Sequence, residues 1–293
     1  MVPEPVAVPA AVPLPRVRPE TGKPVEPKDT ATRAYFNAVQ TGLLMQGLLR
    51  TDRGGPDTPF TDRNLTDNFI QVALFDEYSA TGGTYVAKQT ESRLRRWDQP
   101  VRVEVEFGVT VPAAQRVKDR ASVAKYVGDL AAASGHPVAL VDTKANFHVL
   151  VLNEEDRAGI APRLRELVPG IANSDVNVIV NLPRTTFCLV FAYSVDGAST
   201  YDNAVAIIRG DHPDLLRLSC IHEELAQGLG LANDSPSARP SIFNDDEEFA
   251  LLTRQDALML SILYDPRLRP GMTEPEARPI VKTIAYELLG GES

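Results

Sequence analysis

Apolar and charged side chains alternate along residues 101–107, which read VRVEVEF. A period of two predicts a β-strand that turns one face to the core. Shorter apolar runs elsewhere, rich in valine, isoleucine and phenylalanine, also have the composition of strands. The further strands predicted in this way are an edge strand at 82–89 and strands at 138–141, 147–152, 187–193 and 204–208.

Apolar residues at helical spacing occupy most of the chain around these strands. Helices are predicted at residues 31–50, 65–78, 113–133, 154–167, 253–264 and 274–289. Gly135 follows the third of them, at the place where a helix C-terminus favours glycine. We assign the short apolar run 176–180 to neither class.

The most informative helical pattern lies in the segment 212–229. Its apolar stripe consists of Leu218, Ile221, Leu225 and Leu229. Glu223 and Gln227 lie four residues apart, so both are expected together on the opposite face. Gly228 and Gly230 follow, and glycine readily takes the left-handed conformation that ends a helix. The pattern therefore predicts a helix that presents polar side chains near its C-terminus.

The composition is that of an ordinary globular protein, and it narrows the classes of function. A chain of 293 residues suits one or two domains. A net charge of −9 argues against a general nucleic-acid binder, so no nucleic-acid partner is expected. No apolar run approaches the ~20 residues that cross a bilayer, so we expect no transmembrane span in this chain.

The first 29 residues of the chain are rich in proline. Residues 1–29 contain eight prolines among valines and alanines, which predicts an extended, poorly ordered tail. Such a tail often follows a signal peptide or a lipid anchor. We therefore expect an exported protein of the periplasm or outer cell envelope whose signal has been removed. The rest divides into a helical segment at 30–97, a main domain at 98–272 and a C-terminal helix at 273–293.

The segment 222–234 reads HEELAQGLGLAND. It resembles the zinc-binding stretch HExxHxxGxxH of the metzincin metallopeptidases when the alignment begins at the first of its two adjacent glutamates. Glu223, Gln227 and Asn233 then take the places of the three zinc-binding histidines. Glu224 takes the place of the general base. The resemblance thus implies the metzincin scaffold with every zinc-binding histidine replaced.

The resemblance extends beyond the helix. Gly230 matches the turn glycine, and its neighbours complete the Leu-Gly-Leu of matrixin-type members. Ser241-Ile242-Phe243 lies where metzincins have their Met-turn, with Phe243 in place of the methionine. The segment 252–265 is similar to the helix that follows this turn. A metzincin-like α/β (α+β) fold is implied, with a twisted mixed sheet, backing helices and the second helix carrying the site. The predicted order of elements agrees with this fold.

The signature HEELAQGLGLAND also resembles that of an uncharacterised bacterial family of exported proteins, a domain of unknown function. No activity can be carried over from that family. At the metzincin positions, the residues present offer oxygen ligands, which suit Mg²⁺, Ca²⁺ or Mn²⁺ better than Zn²⁺. A divalent cation on Glu223, Gln227 and Asn233, with His222 or Asp234 as alternates, is one option, and no cofactor is the other. An ordinary zinc site is not expected.

Three functions are consistent with these residues. The favoured one is a degenerate metallopeptidase, a pseudopeptidase that binds a peptide or protein in its former cleft. The second is an active peptidase or other hydrolase with atypical ligands and Glu224 as general base, which leaves open whether the chain is an enzyme. Adjacent helical residues point about 100° apart, so Glu223 and Glu224 are not expected to face each other. The third is a purely structural or interaction domain.

Two further features of the helix leave alternatives open. His222 lies near the apolar stripe, and a core histidine with one backbone partner is favoured over a metal ligand. Cys188 and Cys220 form either a disulfide that ties the helix to the preceding strand, two buried thiols or a redox pair.

Overall fold

The computed structural model describes residues 30–81, 84–244 and 246–290. The proline-rich tail predicted at 1–29 lies outside these residues. The described chain is a mixed α/β fold, as the order of elements predicts. Its strands are β1 Phe75–Thr81, β2 Thr84–Glu91, β3 Arg96–Trp97, β4 Val101–Phe107, β5 Val138–Leu140, β6 Phe147–Leu152, β7 Cys188–Tyr193, β8 Thr200–Tyr201 and β9 Asn203–Arg209.

Helices contain more of the described residues than strands do. They are α1 Thr30–Met45, α2 Asp62–Ala73, α3 Ala113–Ser134, α4 Glu154–Arg157, α5 Ala161–Leu167, α6 Asn173–Val180, α7 Asp214–Gln227, α8 Arg254–Leu263 and α9 Glu274–Leu288. Gly135 ends α3 in the left-handed conformation, as predicted. None of the helices in the described ranges combines the length and the apolar character that a membrane crossing requires.

The central sheet has five strands in the order β5-β4-β6-β9-β7. Four of them run parallel, and β7 pairs antiparallel with β9 at one end of the sheet. Two smaller pairs, β1 with β2 and β3 with β8, lie outside it. Because parallel strands need crossover connections, helices cover both faces of the sheet.

Alternate residues of β6, β7 and β9 enter two separate cores. Val149 and Val151 of β6 belong to the core shared with α3, α7 and α8, whereas Leu150 and Leu152 pack with α5 and α6. Helices α2 and α9 contact each other and also contribute to the first core. The sheet is therefore backed on one face by α3 and α7, the second of which carries the predicted site.

Three predicted helices and one unassigned run differ from the expectation, the first because α1 ends at Met45 rather than at residue 50. The helix predicted at 65–78 ends at Ala73, because the apolar helical spacing stops there and the next residues pair with β2. The helix predicted at 154–167 is two short helices, since a proline at the start of α5 begins a new helix. The unassigned run 176–180 belongs to α6, which buries Val176 and Ile179 one turn apart.

Trp97 connects the end of α7 to the sheet. Its indole nitrogen donates a hydrogen bond to the carbonyl oxygen of Gly228 at 2.8 Å. Its ring stacks on Phe147 of β6, with the two ring planes 11° apart. The side chain is fully buried, so the position of the last turn of α7 is fixed by both polar and apolar contacts.

Candidate functional site

Helix α7 is held against α3 by a buried ion pair. The Arg217 guanidinium donates to both carboxylate oxygens of Asp119 at 2.8 and 2.9 Å, and both side chains are almost fully buried. Arg217 also contacts Asp214 in the first turn of α7, where a negative charge complements the helix dipole. Burial raises the pKa of Asp119. These bonds fix the direction in which the C-terminal half of α7 projects its polar side chains.

The end of α7 requires glycine at two positions. Gly230 has a φ of +127°, and a Cβ there would lie 2.3 Å from the carbonyl oxygen of Arg95. A Cβ at Gly228 would lie 2.4 Å from Cζ of Phe147. The backbone can therefore take this conformation at the end of α7 because Gly228 and Gly230 carry no side chain.

Glu223 and Glu224 come closer together than their positions on a helix suggest. A carboxylate oxygen of each, together with the sulfur of Cys188, lies within 4.8 Å of the other two atoms. Their Cα–Cβ bonds diverge, but a glutamate side chain is long enough for the two carboxylates to converge. Glu224 is 3 % exposed, whereas Glu223 is half-buried. The result is a carboxylate pair at the boundary between core and surface.

A disulfide lies beside this pair. Cys188 at the start of β7 is bonded to Cys220 of α7, which settles the alternatives left open by the sequence in favour of a disulfide. Because of this bond, the Cys188 sulfur is not available as a thiolate ligand for a metal ion. The bridge ties the antiparallel end strand of the sheet to α7 one turn before Glu223.

Gln227 and Asn233 make hydrogen bonds to protein groups. The Gln227 amide nitrogen donates to a carboxylate oxygen of Asp234 at 2.9 Å. The Asn233 side-chain nitrogen donates to the carbonyl oxygen of Gln71 at 2.8 Å, and its backbone nitrogen donates to that of Val72 at 3.0 Å. Asn233 therefore fastens the chain after α7 to the end of α2. A cation shared by Glu223, Gln227 and Asn233 stays a prediction.

The His222 side chain packs against α3 and the segment that precedes α8. Its Nδ1 accepts a hydrogen bond from the backbone nitrogen of Leu252 at 3.1 Å. Its ring stacks on Tyr126 of α3 with the ring centroids 3.8 Å apart. Burial lowers the pKa of His222 to about 3, so the ring is neutral at physiological pH. This is the arrangement that the core interpretation of His222 predicts.

The turn at Ser241–Phe243 is organised by a buried aspartate. Asp256 of α8 accepts hydrogen bonds from the Ser241 hydroxyl at 2.6 Å and the Ile242 backbone nitrogen at 3.1 Å. Burial raises the pKa of Asp256. Phe243 is fully buried, and its carbonyl oxygen accepts a bond from the backbone nitrogen of Ser235. The sequence singled out Phe243 and the helix that contains Asp256, but not the contact between them. Asp256 lies three residues after the N-cap Thr253, where it also caps α8.

One family model matches the chain, over residues 62–283, and its description is "Protein of unknown function (DUF2927)". The chain belongs to this family. The matched residues of this DUF2927 protein run from α2 into α9 and contain every predicted site residue. No curated protein and no solved structure matches the chain.

The chemistry available to this DUF2927 site follows from its side chains. The close carboxylates of Glu223 and Glu224 can accept hydrogen bonds or bind a cation, and such a pair can also exchange protons. The sequence identified both residues. It did not reveal that Cys188 lies against them, because 32 residues separate the two cysteines and two further strands intervene.

Proposed function

We propose that the chain is a metzincin-like module that lacks peptidase activity and binds a peptide or protein. The observation that carries the proposal is the bonding of Gln227 and Asn233. At these two of the three zinc-ligand positions, the residues are amides, and their nitrogens donate to protein oxygen atoms. Amide oxygens are weak zinc ligands, so a catalytic zinc ion is disfavoured at this place.

The position of α7 supports the metzincin part of the proposal. Helices α3 and α7 both contribute to the core on one face of the mixed sheet, and the second of them carries Glu223. This is the arrangement that the sequence resemblance implies. The observed and implied folds agree in how the helices pack on the sheet, and this agreement does not depend on which residues occupy the motif.

We place the partner beside the start of β7, at Cys188. Strand β7 is the end strand of the five-stranded sheet, and the disulfide holds its first residue next to α7. An extended peptide can add to an end strand through backbone hydrogen bonds. The half-buried Glu223, within 4.8 Å of the Cys188 sulfur, would contribute a negative charge to such a surface. A partner with a basic or amide side chain at this point fits best.

The disulfide also supports the cellular location within the proposal. Disulfides persist in oxidising compartments such as the periplasm and are rare in the cytosol. We therefore place the protein among exported proteins of the bacterial cell envelope.

Peptide binding and peptide cleavage, measured on the same untagged protein, test the proposal. We expect an array of short peptides to include binders that are not cleaved. Glu223→Arg should weaken their binding by about tenfold, since it reverses the charge beside Cys188. Glu166→Arg on α5, which lies on the other face of the sheet, is the matched control and should leave binding unchanged. Cleavage of casein or peptides that disappears in Glu224→Gln would overturn the proposal.

The close approach of Glu223 and Glu224 favours a second candidate, a hydrolase in which the two carboxylates share acid and base roles. This candidate requires turnover that is lost in both Glu223→Gln and Glu224→Gln. The third candidate, a purely structural domain, requires neither turnover nor binding. The same two measurements therefore separate all three.

A further inference from the structure

A second group of polar side chains lies on the sheet, away from α7. Strands β4 and β6 run parallel, and their register pairs Glu104 directly with His148. Glu106 is two residues further along β4, so its side chain is on the same face. Val103 and Val105, which alternate with these glutamates, belong to the core shared with α7. The three polar side chains therefore stand on the opposite face of the sheet.

The potential ligand atoms of Glu104, Glu106 and His148 converge. One carboxylate oxygen of each glutamate and one imidazole nitrogen lie within 4.8 Å of one another. Nδ1 of His148 is 3.8 Å from Oε2 of Glu104, which is too long for a hydrogen bond. These atoms surround a common point without bonding to each other.

The imidazole of His148 gives the independent sign of a ligand. Its side chain is 7 % exposed, and Nδ1 is buried with no hydrogen-bond partner among the described residues. A buried polar atom without a partner destabilises the fold unless something satisfies it. A cation placed between the three side chains would accept the lone pair of Nδ1.

We propose that Glu104, Glu106 and His148 form a binding site for a divalent transition-metal cation, with Zn²⁺ the best fit. Zinc accepts mixed nitrogen and carboxylate ligands at about 2.0–2.2 Å in a tetrahedral arrangement, which puts the ligand atoms about 3.4 Å apart. Nδ1 and the Glu104 oxygen need to approach by only a few tenths of an ångström to reach that spacing. Mg²⁺ and Ca²⁺ prefer sets of oxygen ligands and fit less well.

Arg163 of α5 holds one ligand in place. Its Nε donates to Oε2 of Glu106 at 3.0 Å, and a terminal nitrogen donates to Oε1 at 2.5 Å. A bidentate bond of this kind fixes the plane of the carboxylate, which is a common role for groups that surround a metal ligand. With Arg163 included, the two glutamates still give the site a net charge of about −1, so it attracts a cation.

The surroundings leave room for a fourth ligand. Glu104 is a quarter exposed, with 25 % of its side-chain surface accessible. A water molecule or a group from a partner can therefore reach the cation from solvent, as in zinc sites that keep one open position. The site does not depend on the function proposed for α7, because its residues lie on the other face of the sheet.

Zinc titration of untagged, metal-free protein by isothermal calorimetry tests the site. We expect one Zn²⁺ per chain, unaffected by millimolar Mg²⁺. Glu104→Gln and His148→Gln should each weaken binding by at least about tenfold, since even groups that only orient ligands contribute that much. Two controls should match the wild type: Glu223→Gln at α7, and Glu166→Gln, which removes the other carboxylate bound to Arg163.

The outcomes that would overturn the site are distinct from those that concern α7. Absence of zinc binding by the wild type at micromolar concentration would refute it, as would an unchanged affinity in Glu104→Gln. Zinc binding that is lost in Glu223→Gln would move the cation to α7. If His148→Gln does not fold because the ring is buried, the partly exposed Glu104 still decides the question.

Discussion

The carboxylate pair on α7 and the group on β4 and β6 bring acidic side chains together by different means. Glu223 and Glu224 are neighbours in the chain, and a single helix presents both. Glu104 and His148 are far apart in the chain and meet through the register of two parallel strands. A motif can therefore reveal the first group, whereas the second exists only once the strands are paired.

The two groups also differ in the structure that supports them. The α7 pair lies inside a frame formed by the disulfide, the buried ion pair of Arg217 and the glycines after the helix. The strand group lies on a partly open face, and Arg163 of α5 contacts it. We therefore expect changes in the frame of α7 to alter the stability of the fold, and changes in the strand group to alter ligand binding with little effect on stability.

Loss of the disulfide should have the largest effect. Reduction of Cys188–Cys220 releases a constraint across a sequence separation of 32 residues. It should lower the free energy of unfolding by about 3–4 kcal/mol. Urea unfolding with and without a phosphine reductant measures this.

The double variant Cys188→Ser/Cys220→Ser is the control for the reductant and should not respond to it. Its zinc affinity should equal that of the wild type, because the bridge is on the opposite face from the strand group. A loss of zinc affinity in this variant would show that the two groups are coupled, which would contradict the independence of the two faces of the sheet.

Gly230→Ala should destabilise the fold by about 3 kcal/mol. The new Cβ would meet the carbonyl oxygen of Arg95, and the φ of +127° is unfavourable for alanine. Thermal unfolding measures the change. Gly135→Ala is the matched control: its φ is +67° and no atom lies within 4 Å of the new Cβ, so about 1 kcal/mol is expected. Equal losses in both variants would contradict the role of the Arg95 contact.

Acid should destabilise the fold around α7 through His222. Burial lowers the pKa of His222 to about 3 from an ordinary value of 6.5, so between these values the unfolded chain binds a proton that the folded chain does not. Stability therefore falls as the pH falls, by up to about 1.4 kcal/mol per pH unit.

Urea unfolding of wild type and His222→Gln at several pH values between 6 and 4 measures this contribution. The difference in unfolding free energy between them should shrink toward pH 4, because the variant lacks the proton-binding group. His136→Gln, at a less buried histidine, should show a smaller change. A difference that is constant with pH would be inconsistent with a neutral buried ring.

Glu104→Gln should have the smallest effect on stability, within about 0.5 kcal/mol of the wild type without metal. Burial and the charge of Glu106 raise the pKa of Glu104, so its ionised form is not a stabilising group. Urea unfolding in the presence of a chelator measures the change. A loss of several kcal/mol would mean that Glu104 is a structural residue and that the two groups do not differ as described.

Local patterns predicted the α/β class and most of the elements, and the exceptions have physical causes. The period of two at 101–107 and the glycine at 135 each carry their own signal, and both correspond to the observed β4 and the end of α3. The pairing of Phe75–Thr81 with β2 depends on contacts that the helical spacing before it does not reveal.

The candidate site was predictable to a similar degree. The sequence indicated Glu223, Glu224 and the two cysteines, but not that they meet at one place, since that requires the position of β7 against α7. It also did not reveal that Asn233 bonds to the end of α2, because Gln71 offers a backbone oxygen that any residue would supply.

Because Trp97 is bonded to Gly228, its fluorescence can report changes at the end of α7. The chain has one tryptophan, and its indole is anchored at the last turn of the helix that carries Glu223 and Glu224. Tryptophan fluorescence, excited selectively, therefore arises from one known position and needs no attached dye. A peptide that displaced the end of α7 would shift the emission, whereas an ion on the far side of the sheet would leave the spectrum as it was.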